Sequence, residues 1–229
     1  MKIKRESLGA PFNRLWAASL TSNIADGLFK TSVPLLATSL TKDPVLIAML
    51  GALVMLPWLL FAIPIGTLVD RVDRRNALAL ANSIRLAAGA ALSISIVGGW
   101  VNISFLFAVA LVIGVGEVLY DTTAQALIPK VVKTEHLERA NSRLEVGGTI
   151  TGELIGAPLS GVLYVVAIAI PFISGNVGIL LAFVLVLLIP GQYKKQPELS
   201  GTAKVSVFAD MKFGIRYLYQ DKTLLKLVL

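Results

Sequence analysis

Six charged side chains interrupt the long apolar stretches of this 229-residue sequence, and they are the residues best suited to chemistry. They are Asp26, Lys30, Arg85, Glu117, Asp121 and Glu153. If these stretches are membrane helices, each charge costs roughly 2.5–3.5 kcal/mol at a helix centre, so each is a candidate for a substrate or proton path. A carboxyl group in such a path could take up and release protons as a substrate moves.

The spacing of these residues allows several pairings. Asp26 and Lys30 are four residues apart and could neutralise each other on one helix face. Glu117 and Asp121 are also four apart, and two carboxylates so placed repel each other. Arg85 and Asp121 fall at similar depths of successive helices and could form a structural ion pair. Because Glu117 falls nearest to the bilayer centre, we expect it to exchange a proton during transport.

The elements that must position these residues are transmembrane helices. Hydrophobic residues make up 55% of the chain and charged residues 15%, and the mean hydropathy is +0.77. A soluble domain could not bury so much apolar surface, and the first apolar run is too long for a signal peptide. Each of six runs approaches the ~20 residues that cross a bilayer. They are 12–40, 44–69, 76–98, 102–128, 144–167 and 169–190.

Basic residues lie almost entirely on one side of the predicted spans. Eighteen of the 21 Lys and Arg residues precede or open the first span or follow the second, fourth and sixth, and only Lys42 falls on the opposite side. This asymmetry predicts that both termini are cytoplasmic. Membrane topology therefore explains the net charge of +7, and nucleic-acid binding is disfavoured.

The composition also argues against an enzyme. The sequence has no cysteine, which excludes disulfides and thiolate metal sites, and its single histidine, His136, is expected in a solvated loop. It offers no cluster of metal ligands, no paired nucleophile and base, and no nucleotide-binding loop. We therefore predict neither a metal nor a cofactor.

A charged stretch, GTLVDRVDRRNAL (66–78), separates the second and third predicted spans. Asp70 ends the second span, where a negative charge opposes the helix dipole and needs a partner. Arg74 or the N-terminus of another helix could serve, while Asp73 or Asn76 could cap the third helix. The arginines could alternatively act only as topology anchors.

This stretch resembles a motif of the major facilitator superfamily, G-x-L-x-D-R-x-G-R-[KR], found between the second and third helices. Six residues match: Gly66, Leu68, Asp70, Arg71, Arg74 and Arg75. Asp73 replaces the usual glycine, as in the branch of siderophore and macrolide exporters. Gly66 would let the backbone of another helix approach closely. In the family, the acid that corresponds to Asp70 contacts a helix of the transporter's second half. The resemblance covers essentially the whole chain.

The resemblance implies an all-α integral membrane fold of six helices in a 3+3 inverted repeat, which is one half of a transporter. It implies a six-helix bundle (1–191), a cytoplasmic linker with an amphipathic helix (192–222) and the start of a seventh span (223–229). Helices one and four would line the cavity, which places Asp26, Glu117 and Asp121 toward the path. The implied partners are the lipid bilayer, a small-molecule substrate and a C-terminal six-helix half.

The fifth predicted span carries small residues at every fourth position, which permits close helix packing. These residues are Gly148, Gly152, Gly156 and Ser160. In the exporter pattern G-x-x-x-G-P-x-x-G-G, Gly152, Gly156 and Gly161 match, although Ala157 stands in place of the proline. The match favours export, and the alternative is tight packing without directional meaning. Glu153 adjoins this stripe and could be buried at an interface.

The sequence therefore predicts a secondary transporter of the cell membrane that exports a small amphipathic molecule, of drug, macrolide or siderophore type, by alternating access. The arginine that many proton-coupled exporters carry in helix four is absent, so proton coupling stays open. The alternatives are a non-transporting membrane interaction protein and a half-size transporter that works as a homodimer.

The charge asymmetry makes the topology testable in this cysteine-free chain. We expect a membrane-impermeant maleimide to label Lys42→Cys on intact cells, but to label Val72→Cys only after the membrane is opened. Labelling of position 72 from outside intact cells would contradict the predicted orientation.

Overall fold

The computed structural model describes residues 7–191 and 193, and these residues are helical with no strand among them. The α-helices are α1 (Ala10–Leu40), α2 (Pro44–Val69), α3 (Arg74–Val97), α4 (Ile103–Val131), α5 (Leu137–Thr149), α6 (Ala157–Val166) and α7 (Ile170–Leu187). The predicted linker helix and seventh span lie outside the described residues.

Five of the predicted membrane helices are confirmed by length and composition. They are Pro44–Val69, Arg74–Val97, Ile103–Val131, Thr134–Val166 and Ile170–Leu187. The remaining helix, α1, occupies the predicted range 12–40 and has 31 residues, but it is more polar. Asp26 and Lys30 lie in its interior, among hydroxyl and amide side chains.

Short polar caps set the ends of the helices. Asp43 caps α2 by accepting from a backbone N–H at 2.8 Å, and Pro44 follows in the first turn, where its missing donor costs nothing. Of the two caps that the sequence allows for α3, the structure has Asp73, which accepts from Asn76 N–H at 3.2 Å, and Asn102 caps α4 at 2.9 Å. Each cap pairs a donor that the helix itself cannot satisfy, typically for about 1 kcal/mol.

The helix that contains the predicted fifth span, 144–167, begins earlier than residue 144. A 3-10 turn at Thr134–His136 leads directly into α5. A π-helical segment, Ile150–Gly156, then joins α5 to α6, so that one continuous helix runs through Thr134–Val166. The search for apolar runs missed the first turns of this helix because most of their side chains are polar. Within α5, Ala140 is the buried residue.

Two apolar clusters are stacked along the helices, with a polar layer between them. The first includes Phe12 on α1 and Leu78 on α3. The second includes Phe29 on α1 and Leu92 on α3. Arg85, the largest fully buried side chain, lies on α3 between these two levels. The bundle therefore places charge at mid-height, where apolar packing would otherwise be continuous.

Helix α1 packs against α4, α5, the π-helical segment, α6 and α7. The small-residue stripe of the fifth span is turned toward it: a Cβ on Gly152 would lie 3.2 Å from the Asn23 carbonyl oxygen, and one on Gly156 would lie 2.8 Å from that of Ile24. From the opposite side, a Cβ on Gly27 would clash with the carbonyl oxygen of Gly152. The two backbones are therefore in direct contact, which only residues without bulky side chains allow.

Two glycines of the predicted motifs lack such a neighbour. Among the described residues, nothing lies within 4 Å of a Cβ built on Gly66 or on Gly161. The expected close backbone approach at Gly66 is therefore absent from this part of the chain.

Gly27→Ala should destabilise the bundle, because the added methyl group meets backbone atoms that cannot rotate away. We expect a loss of about 1–3 kcal/mol, as is typical of overpacking, seen as a lower Tm of the purified protein in detergent. Gly51→Ala is the matched control, since nothing lies within 4 Å of its Cβ. An equal Tm for the two variants would contradict the contact between α1 and the π-helical segment.

Candidate functional site

A cavity of about 950 Å³ opens between α1, α4 and the fifth span. Its charged lining residues are Asp26, Lys30, Asp121, Glu145 and Glu153. Its polar lining residues are Ser19, Asn23, Gln125, Asn141 and Thr149. A polar cavity of this size among apolar helices is suited to binding a small molecule. Among residues 7–191 and 193, no group of three or more acids or histidines could hold a metal ion.

Arg85 on α3 is paired with Asp26 on α1, and both side chains are buried. The guanidinium also donates to the Ser22 hydroxyl at 2.7 Å and lies 5.6 Å from the centre of the Tyr120 ring. The pairing of Arg85 with Asp121, which the sequence allows, is therefore wrong. The depths of Arg85 and Asp121 along their helices can be estimated from the sequence. The side of α3 that faces α1 cannot.

Lys30 is paired with Glu117 across α1 and α4, with Nζ 2.8 Å from Oε1. The expected neutralisation of Asp26 by Lys30 on one helix is therefore also wrong. Each member of that i, i+4 pair has a partner on another helix, because an interhelical partner shields a charge that the bilayer would leave unsolvated.

Asp121 has no hydrogen bond and no ion pair with any other residue that the structure describes. It lies one turn beyond Glu117 on α4 and lines the cavity. Glu153 also lines the cavity, but its side chain is exposed there. The expectation that Glu153 is buried at an interface is therefore wrong.

A glycine makes room for the buried arginine. A Cβ on Gly116 would lie 2.5 Å from Cγ of Arg85, so only glycine at this position of α4 lets the aliphatic stem pass. The stem then reaches α1, although α1 and α3 are not among the closely packed helix pairs of the described chain. Arg85 thus joins two helices whose backbones remain apart.

The charged motif between α2 and α3 forms a separate site, about 16 Å along α3 from Arg85 at 1.5 Å per residue. Asp70 is 61% exposed and makes a loose contact with Arg74, at 3.5 Å. Of the two partners that the sequence allows for Asp70, the structure has Arg74. Arg71 lies exposed in the same loop.

Two other arginines hold the end of α7. Arg75 donates to the carbonyl oxygen of Leu187, and Arg14 from α1 donates to that of Leu188. These carbonyls lie in the last turn of a helix, where the helix itself leaves them unpaired and where cations are favourable. Arg75 of the motif therefore ties α3 to α7, and Arg14, which lies outside the motif, ties α1 to α7.

The departure of this motif from the superfamily pattern has a structural explanation. One carboxylate oxygen of Asp73 caps α3, and the other accepts from the backbone N–H of Tyr193 at 2.7 Å. Arg74 donates to the carbonyl oxygen of Tyr193 at 3.1 Å. Burial and the nearby Asp73 carboxylate raise the pKa of the Tyr193 phenol, which donates to Pro190. A glycine in place of Asp73 could make neither of the two bonds.

Sequence reasoning missed three parts of the site. The role of Lys30 depends on which face of α1 meets α4, and a single sequence does not give that register. The amide side chains of the cavity, such as Asn23 and Gln125, are too common to single out. The π-helical segment is of a kind that often occurs at functional sites. The feature of the sequence that points to this region is the stripe of small residues within 148–160.

Comparison with known proteins gives one family match and two related proteins. A family model described as "Transmembrane secretion effector" matches residues 9–229. Macrolide efflux protein A of Streptococcus pyogenes is 27% identical over 128 residues, which is 56% of this chain and 32% of the relative. The protein of the same name from serotype M6 of that organism gives the same values. The matched segment thus spans about a third of the length of these curated relatives.

The buried pair of Arg85 and Asp26 can be tested by a double-mutant cycle. Asp26→Asn and Arg85→Gln should each lower the free energy of unfolding by about 3–5 kcal/mol, because each leaves a buried charge without its partner. The double variant should lose clearly less than the sum, as measured by unfolding in detergent.

Glu135→Gln is the control for this cycle, because its ion pair with Lys133 is exposed. Such a surface pair is worth only about 0–1 kcal/mol, so its loss should leave stability nearly unchanged. Strict additivity of Asp26→Asn and Arg85→Gln would contradict an energetically important pair.

Proposed function

Because the chain belongs to the transmembrane secretion effector family of the major facilitator superfamily, we propose that it forms the N-terminal six-helix half of a secondary transporter. The complete transporter, of which this half is one part, exports a small amphipathic molecule. The observation that carries the proposal is the polar cavity of about 950 Å³ between α1, α4 and the fifth span. A cavity with polar walls inside a bundle of membrane-crossing helices has the properties that a translocation path needs.

In this proposal α1 also spans the membrane, and together with the five confirmed helices it gives six spans in a 3+3 inverted repeat. The polarity of α1 is compatible with that role because α4, α5, α6 and α7 surround it. Its charges meet partners on other helices, and Asp26 and Lys30 line the cavity. Charged residues of membrane helices are tolerated where they face the bundle interior or a cavity.

The second half of the transporter would complete the cavity, and the two halves would rock around the bound substrate. Two features of the motif loop support such a partner. Asp70 is exposed with only a loose contact, and Gly66 has open space beside it among the described residues. An acid and a glycine at the end of α2 could thus receive a helix of the second half, and the polar segment 192–222 would connect to it.

Export from the cell is supported by the relatives, which are named as macrolide efflux proteins. We propose a substrate of drug, macrolide or siderophore type, and location in the cell membrane with both termini cytoplasmic. The proposal includes no enzyme activity, no metal and no cofactor.

We propose that Glu117 is the residue that would couple transport to protons. The carboxylate is only 12% exposed and contacts Lys30, which is 54% exposed. Proton uptake by Glu117 would release Lys30 from its partner, and the freed ammonium group would lie beside the cavity. Protonation and the charge presented to a substrate would then change together.

Everted membrane vesicles containing the full-length protein test this function. We expect protein-dependent accumulation of a radiolabelled macrolide when a proton gradient is imposed, and loss of that accumulation in Glu117→Gln, which cannot titrate. The double variant Lys30→Gln/Glu117→Gln should also be inactive, although it leaves no unpaired charge.

Glu135→Gln is the matched control, because this residue is exposed and does not line the cavity, and it should accumulate substrate normally. Activity of the double variant would show that the pair only balances charge and that Glu117 is not the coupling residue. Absence of protein-dependent accumulation of any amphipathic probe by the unaltered protein would contradict the proposed function.

A further inference from the structure

The charges of the cavity do not balance. Its lining contains four acids and a single base, Lys30. Lys30 is neutralised by Glu117, and Asp26 by Arg85. Three carboxylates are left, Asp121, Glu145 and Glu153, and none of them has an ion pair with another residue in the described part of the chain. No cationic side chain of the lining is available to balance them.

Asp121 differs from the other two. Glu145 and Glu153 are exposed, so water can solvate them. Asp121 is half-buried between the helices and faces the cavity, at mid-height of the bundle on α4. A carboxylate partly removed from water without a hydrogen bond or a counter-ion is costly, so an occupant of the cavity that supplied a positive charge would be favoured.

The residues around Asp121 indicate the chemical character of such an occupant. Along the same face of α4, Ala124 and Ile128 line the cavity beyond Asp121 together with Gln125, and Leu137 and Leu144 line it from α5. The otherwise polar cavity therefore offers an unpaired anionic group with several apolar side chains near it. A molecule that carries a cationic group on an apolar body matches both features.

We propose that Asp121 is the anionic contact for a cationic group, such as a protonated amine, of the exported molecule, and that amphipathic cations are the substrate class. This inference rests on the proposed function, since it assigns the substrate of the same cavity. Asp26 and Glu117 are less suited to the role, because a cation at either would have to displace Arg85 or Lys30. The free carboxylate at Asp121 requires no such exchange.

Two probes of nearly equal size and opposite charge test the proposal, tetraphenylphosphonium and tetraphenylborate. Binding of each to the purified full-length protein in detergent is measured by equilibrium dialysis at one pH. We expect the protein to prefer the cation, and Asp121→Asn to reduce its affinity for the cation about tenfold, because the Coulomb attraction between two opposite charges is lost. Affinity for the anion should not fall.

Two further variants keep the test decisive. Asp121→Glu keeps the charge and should keep the preference for the cation, which separates loss of charge from loss of folding. Asp43→Asn makes the same chemical change outside the cavity, at a helix cap where Asn serves as well as Asp, and it should bind both probes like the unaltered protein.

Equal binding of the two probes, binding of neither, or an unchanged cation preference in Asp121→Asn would each overturn the proposal. It would also be overturned if Asp121→Asn bound the cation normally but lost proton-driven accumulation in vesicles, since Asp121 would then carry a proton. Failure of the transport function is distinguishable: the unaltered protein would bind the cation selectively, yet vesicles would move neither probe.

Discussion

A full charge in the middle of a bilayer must find a partner within the protein, and the buried pair of Arg85 and Asp26 is where this constraint acts most strongly. Neither water nor lipid can solvate the guanidinium, which is fully buried and reaches from α3 to α1. The pair sets the distance and the rotation of these two helices relative to each other. It also requires glycine at position 116 of α4, because any side chain there would block the arginine stem.

The cavity follows from the same arrangement. Close contact between α1 and the π-helical segment is made by Gly27, Gly152 and Gly156, whose missing side chains let the backbones touch. The polar faces of α1 and α4 then line one side of the cavity, and α5 and the π-helical segment line the other. Two apolar clusters, one on each side of this polar layer, hold it in place, so that a stable core and a polar cavity coexist in one bundle.

In the charged loop that precedes α3, the residues have two different environments. Asp73, Arg74 and Arg75 are engaged with the helix caps and with the chain that leaves α7, whereas Asp70 is exposed. The engaged residues stabilise the bundle, because they pair donors and acceptors that helix ends leave open. The exposed acid, Asp70, lies at the surface of the described part of the chain.

The sequence by itself determined the class of the protein, the five confirmed membrane helices and the family motif. These properties depend on local composition: apolar runs have the length of a bilayer, and Asp43, Asp73 and Asn102 stand where helices must be capped. Only the tertiary structure decided which charges meet. Asp26 pairs with Arg85 and Lys30 with Glu117, while Asp121 remains without a partner among the described residues. The rotation of each helix sets these pairings, and rotation depends on packing between segments far apart in the chain.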